Sequence, residues 1–103
     1  MSVPSMAIGS DVWPGLAKLS EECGELLQVV GKLAAFPSGP HPDGGEPLPA
    51  RLADEVADVL AAIDYLRAHA APFVPLRDHI ERRRYEKFMR FQNWDFEARG
   101  NGE

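Results

Sequence analysis

The sequence holds a single cysteine, Cys23, among 103 residues. That excludes an intramolecular disulfide, so packing must hold the fold together. No apolar run is long enough to cross a bilayer, and no membrane partner is expected. Met1 to Ser10 lacks a basic start and a sustained apolar stretch, so no secretory signal is expected and a cytoplasmic location is. Positive charge is in short supply: 11 Lys and Arg stand against 16 Asp and Glu, a net charge of −5. A balance of that sign argues against nucleic acid or an anionic surface as a partner. There are only three histidines, and none follows an acidic ligand candidate at i+3. The Glu-x-x-His pattern of di-iron bundles is therefore missing. No alternating apolar and polar run marks a strand, and no helical-array repeat is present.

What is present reads as all-α, in one domain of ordinary composition. The first predicted helix covers about 12–35. Asp11 is its candidate cap, and Pro14 is tolerable in a first turn. Leu16, Leu19, Cys23, Leu26, Leu27, Val30, Leu33 and Ala34 recur on it at helical spacing. Residues 36–49 form a loop, with five prolines and three glycines between Pro37 and Pro49. A second helix covers about 50–69, with Leu52, Val56, Val59, Ile63 and Leu66 as its core. A third covers about 76–91, with Leu76, Ile80, Phe88 and Phe91 on one side. A mobile tail is expected over 96–103. Ala17, Gly24 and Gly31 recur every seven residues on the first helix, and Ala53, Ala57, Ala61 and Ala68 form a small-residue stripe on the second. Glycine is a poor helix former, so Gly24 and Gly31 suggest close helix packing. The expected architecture is an antiparallel bundle of about three helices per chain, completed by oligomerisation to a homodimer or homotetramer.

Two acidic pairs carry the chemistry. Glu22 and Glu25 lie on the first helix, and Glu55 and Asp58 lie on the second. Each pair is spaced i, i+3, so its members are neighbours on a helix surface and repel. At about 100° per residue, both pairs fall on the edge of an apolar stripe displaced in the same rotational sense. An antiparallel pairing then brings both to one groove. The axial mismatch is roughly 7–8 Å at 1.5 Å per residue, which the loop spans easily. Four carboxylates without a soft ligand describe a hard-cation site, suited to Mg²⁺ or Mn²⁺ rather than zinc or copper. Mg²⁺ so held keeps positions open for water and phosphate oxygens, which points to phosphoanhydride or phosphate-ester chemistry. Glu21 or another carboxylate of the group, with Glu22 the other candidate catalytic residue, could act as general base. The competing reading is a pair of solvated acidic helix faces.

Lys18-Leu19-Ser20-Glu21-Glu22-Cys23-Gly24-Glu25-Leu26, followed by Asp54-Glu55-Val56-Ala57-Asp58-Val59-Leu60, resembles the MazG-like, all-α nucleoside triphosphate pyrophosphohydrolases. Their signature is Glu-Glu-x-x-Glu, a variable gap, then Glu-x-x-Asp. The likeness covers roughly Trp13 to Phe91. It implies Mg²⁺-dependent hydrolysis of an NTP or dNTP, by water attack on the α-phosphorus, to the monophosphate and pyrophosphate. It implies metal ligands at Glu22, Glu25, Glu55 and Asp58, and a dimer or tetramer. Glu21 matches the first Glu of the signature. Lys87-Phe88-Met89-Arg90-Phe91 resembles the Lys-Phe-x-Arg element of MazG proteins, so Lys87 and Arg90 are candidate phosphate contacts. Other branches carry Lys-x-x-x-Asn there; Phe91 stands in the Asn position, so those branches' substrate preference does not carry over.

Lys18 and Lys32 are further candidate phosphate contacts, against the plainer reading of a solvated face. Arg82, Arg83 and Arg84 read as such a face. Trp13 and, from the opposite end, Trp94 are candidates to stack on a base; a capping or core role competes for Trp13. His41 could close over a nucleotide or be a plain surface residue. His69 and His79 read as ordinary helix-end residues, and Cys23 as an inert buried thiol. The alternative function is a non-catalytic helical interaction module retaining the fold.

Overall fold

The computed structural model describes residues 11–38 and 44–100. It contains α1 (Leu16–Ala35), α2 (Leu48–His69), a single 3₁₀ turn (Val74–Leu76) and α3 (Arg77–Ala98). No strand occurs among the described residues. No described helix is long and apolar enough to cross a membrane. His41 and the end of the expected tail, 101–103, lie outside the described residues.

The helix ends differ from expectation for local reasons. α1 starts four residues later than Val12, and Asp11 is not its cap. Gly15 takes that position with φ 88° and no side-chain cap bond. Pro14 fixes its own φ, and the left-handed glycine after it makes a turn instead of a first helical turn. The Leu16 N–H donates to the Trp13 carbonyl at 3.2 Å across that turn. α2 starts two residues earlier than expected, because Pro49 falls within its first turn. Proline there sacrifices only an N–H that would lack a helical partner anyway. α3 runs seven residues past Phe91. No glycine or proline interrupts it until Gly100, which takes φ 74° just beyond the Arg99 cap.

α1 and α2 pack extensively on each other. Lys18 shares a cavity with Tyr65, and Lys32 shares one with Leu48. Residue numbers rise on one helix as they fall on the other, so the pair is antiparallel. Val29 of α1 and Leu48, Ala62 and Leu66 of α2 are all buried; Val29 and Leu48 line one cavity, while Ala62 lies toward the other end of the seam, beside Glu22. The seam is not the most apolar strip of either helix. Glu22 and Val29 on α1, and Leu48, Glu55 and Ala62 on α2, are spaced by seven and share its angular sector. Several residues expected in the core are left outside it: Leu16, Leu27, Val30 and Val56 are exposed, and so is Leu60, one turn from Val56. They occupy the opposite flank of the pair from Glu25 and Asp58.

Gly24 and Gly31 border that apolar flank. A methyl group built on either meets nothing within 4 Å, so no close helix approach uses them within one chain. α3 packs substantially on neither α1 nor α2. Its base is tied in by the Arg67–Glu81 ion pair at 3.2 Å. Trp13 packs edge-on against Phe73, ring centroids 6.0 Å apart, which ties the N-terminal turn to the same junction. The result is elongated: the radius of gyration is 17.4 Å, against about 13 Å for a compact domain of this length.

Candidate metal centre

Because the α1–α2 seam runs through positions 22 and 55, two glutamates enter it from opposite helices. Glu25 joins them, one turn along α1. Glu22, Glu25 and Glu55 each offer a carboxylate oxygen within 4.8 Å of the others. Glu55 is only 3% exposed. Glu22 is half-buried and Glu25 exposed, so the group opens from the seam toward solvent. Buried oxygens Oε2 of Glu22 and Oε2 of Glu55 have no hydrogen-bond partner.

Three converging carboxylates, two with orphaned buried oxygens, fit a hard divalent cation. Buried acceptors without donors are otherwise unfavourable. The donor set is all oxygen, which suits Mg²⁺, Mn²⁺ or Ca²⁺ by type. Burial pushes the Glu55 carboxyl above the ordinary glutamate range. Repulsion from Glu25, and less strongly from Asp58 and Glu22, acts in the same direction, and Arg51 opposes it.

Asp58 was expected as a fourth ligand, but it does not join the three. It lies one turn beyond Glu55, rotated toward the outer lip, and is exposed. Its side chain is also one methylene shorter. Together with Glu22 it lines an adjoining cavity, completed by Lys18, Ala61, Ala62 and Tyr65. The Lys18 Nζ lies 3.4 Å from Oε1 of Glu21 and 3.4 Å from Oε1 of Glu22. Hydrogen bonding to Glu21 raises the Lys18 ammonium above the usual lysine value, and Glu22 adds to this. Glu21 itself is exposed and bound to Lys18, outside the converging group.

A second cavity lies on the other side, lined by Glu25, Gln28, Val29, Lys32, Leu48 and Arg51. Arg51 went unnoticed in the sequence. Its Nη2 donates to Oε1 of Glu55 at 2.9 Å. The signal was available: Arg51 precedes Glu55 by four residues, which places the two side chains together on a helix. Lys32 lines the same cavity and pairs with no carboxylate among the described residues.

The remaining candidates are not brought to the cluster within one chain. Lys87 and Arg90 lie on α3, where the Lys87 ammonium sits 5.9 Å from the Phe91 ring centroid and Arg90 is exposed. Trp13 is engaged by Phe73. Trp94 leans on Phe91 at 5.6 Å and is 55% exposed. His69 leans on Tyr65 at 4.4 Å, and His79 contacts Arg82. Cys23 is half-buried. Compared with protein-family models, with curated proteins and with solved structures, the chain matches none.

Proposed function

We propose that the chain is a Mg²⁺-dependent nucleoside triphosphate pyrophosphohydrolase of MazG-like type, with Mn²⁺ as an alternative ion. The observation that carries this reading is the meeting of Glu22, Glu25 and Glu55 within 4.8 Å, two of them with a buried oxygen lacking a donor. Metal-free, that arrangement sets like charges against one another in a partly dry seam. A bound divalent cation removes the conflict. When bound, such an ion would neutralise phosphate charge and favour departure of pyrophosphate.

Glu22, Glu25 and Glu55 would hold the ion, and Asp58 would join them only by a rotamer change or through water. Arg51 holds Glu55 in one orientation by their 2.9 Å bond. In the reaction, the oxygen of water bonds to the α-phosphorus. The bond from that phosphorus to the α–β bridging oxygen breaks, and its electron pair leaves with pyrophosphate. The water's proton passes to a carboxylate, with Glu21 as the candidate acceptor. Lys18 bridges Glu21 and Glu22 and so couples the orientation of that acceptor to a ligand.

The same reading includes a homodimer or homotetramer, in which Lys87 and Arg90 reach a phosphate. Two features support association. The chain exposes 7692 Å², against roughly 5,800 Å² for a compact monomer of its mass. Leu27 is 70%, Tyr85 66% and Phe88 56% exposed, large apolar side chains that association would take out of water.

The test is a panel of NTPs and dNTPs with Mg²⁺, read by pyrophosphate release. Turnover of at least one is expected, abolished by chelation. No turnover on any by folded, associated protein removes the reading. A second reading, a non-catalytic interaction module, is favoured by the same exposed apolar surface. It expects no rise in melting temperature with divalent ions, and expects Glu22→Gln and Glu55→Gln to be silent or stabilising.

A further inference from the structure

Two cavities flank the carboxylate cluster along the seam, and their linings differ in kind. Toward the C-terminal end of α1, the cavity is about 400 Å³ and presents Gln28, Lys32 and Arg51 beside Glu25. Toward its N-terminal end, the cavity is about 390 Å³ and is bounded by Ala61, Ala62 and Tyr65 beside Glu22 and Asp58. Glu55 sits between them, bonded to Arg51 on one side and repelled by Asp58 on the other.

A nucleoside triphosphate is chemically just as lopsided. Its β- and γ-phosphates carry most of the charge and present only acceptors. Its nucleoside end is neutral, flat and partly apolar. Lys32, unpaired among the described residues, and the forked guanidinium of Arg51 suit the first end. Gln28 adds donors. The Tyr65 ring is braced by the His69 ring at 4.4 Å, and two alanines leave room beside it. That combination suits a base or sugar face. The one cation on this side, Lys18, is already engaged by two carboxylates at 3.4 Å.

We infer that the substrate lies along the α1–α2 seam in one direction, with pyrophosphate in the Gln28–Lys32–Arg51 cavity and the nucleoside in the Ala61–Ala62–Tyr65 cavity. This rests on the hydrolase reading above and adds a polarity to it. The α-phosphorus then sits beside Glu22, Glu25 and Glu55, between the two cavities. Lys32 becomes a determinant of phosphate binding. Ala61 and Tyr65 become determinants of which nucleoside is accepted. The span from Glu25 to Lys32 is about 10 Å along the helix, enough for two linked phosphates and their hydration.

The two halves can be assayed apart, because the products are separate molecules. Titrate inorganic pyrophosphate, and separately a panel of nucleoside monophosphates, into the full chain with saturating Mg²⁺. Read the dissociation constants by calorimetry for the unmodified chain, Lys32→Ala and Ala61→Leu. Both positions are solvent-accessible and both new residues are good helix formers. Lys32→Gln and Tyr65→Leu serve as second variants, and circular dichroism checks the fold. Lys32→Ala should weaken pyrophosphate about tenfold or more, the loss expected of one charge-assisted hydrogen bond, and leave the best monophosphate within twofold. Ala61→Leu should do the reverse. Variants that weaken both ligands equally, or weaken the opposite one, overturn the polarity and leave the hydrolase reading standing. An unmodified chain that binds neither product with Mg²⁺ present overturns both.

Discussion

α2 and α3 are each 22 residues long, and they end in opposite situations. α2 buries Leu48, Glu55, Ala62 and Leu66. α3 buries none of its residues, although Tyr85, Phe88, Phe91, Trp94 and Phe96 are each more than half exposed. The helix richer in aromatic side chains is the one that packs substantially on neither of the other helices. The helix that does have a neighbour spends a central seam position on a carboxylate. Both arrangements are unfavourable for an isolated, ion-free chain, but each lacks something different. On the proposed reading, a metal ion would relieve Glu55, whose burial opposes its charge. A partner surface would relieve the aromatic face of α3, because apolar area gains only by leaving water. The comparison therefore separates two questions that a single activity assay would merge.

The largest expected effect breaks the α2 side. Glu55→Gln and Glu22→Gln each keep the side-chain shape and remove a ligand charge. Each should lower Mg²⁺-dependent pyrophosphate release by more than about 100-fold, since even outer-shell partners of metal sites are worth about 10–100-fold. In the metal-free chain Glu55→Gln should raise the melting temperature, because it relieves repulsion in the seam. Activity that survives both substitutions would show that the cluster is not the site.

The next effect addresses α3. Phe88→Asp combined with Phe91→Asp places two charges on its exposed aromatic face. Interface anchors of this kind are worth about 2 kcal/mol or more each, so the pair should weaken association by at least about 100-fold. Sedimentation checks this. The helical content of α1 and α2 should hardly change, since α3 packs substantially on neither. An unchanged oligomer would assign association to the Leu27–Val30–Val56–Leu60 flank instead.

Smaller and more specific is the pH dependence of the metal-free protein. The folded-state value of Glu55 is raised from its ordinary 4.5, chiefly by burial. The native chain therefore keeps this proton over a window, starting at the ordinary value, in which the unfolded chain has released it. Stability falls as pH rises through that window and levels off above it. Melting temperatures across the acid range, with a chelator present, should fall more steeply for the unmodified chain than for Glu55→Gln. Saturating Mg²⁺ should flatten the difference. Parallel curves for the two proteins would mean that Glu55 is not under strain.

The all-helical class and the approach of Glu22, Glu25 and Glu55 were legible in the sequence, because both depend on period and spacing. The register of the seam was less so. A search for the most apolar stripe favours Val30 and Val56, yet Val30 is 46% and Val56 40% exposed. The helices instead pair through Val29, Leu48, Ala62 and Leu66, which turns Glu22 and Glu55 inward. A single-chain periodicity cannot tell a face buried within the chain from one left for a partner, since both are apolar. Proline content misled at Pro49 for a related reason: composition reports that a residue breaks helices, and only position reports that a first turn tolerates it. Lys87 and Arg90 were suggested by resemblance alone, and within one chain no packing brings α3 to the cluster.

Gly24 gives the smallest effect and the sharpest contrast in sign. It lies on α1 beside the exposed apolar flank, with open space where a Cβ would stand. If the flank faces water, Gly24→Ala removes a helix-weakening residue and should stabilise the chain by about 1 kcal/mol. If another α-helix lies close against it, the added methyl group must push that helix away. Stability would then fall in proportion to association, and the melting temperature would cease to depend on protein concentration. Melting curves of Gly24→Ala over a range of concentrations distinguish the two. Since α1 also carries Glu22 and Glu25, a destabilised assembly with intact Mg²⁺ binding would place the cation site wholly within one chain. Loss of both together would mean that the flank and the carboxylate groove, on opposite sides of one helix pair, are held in shape by the same contact.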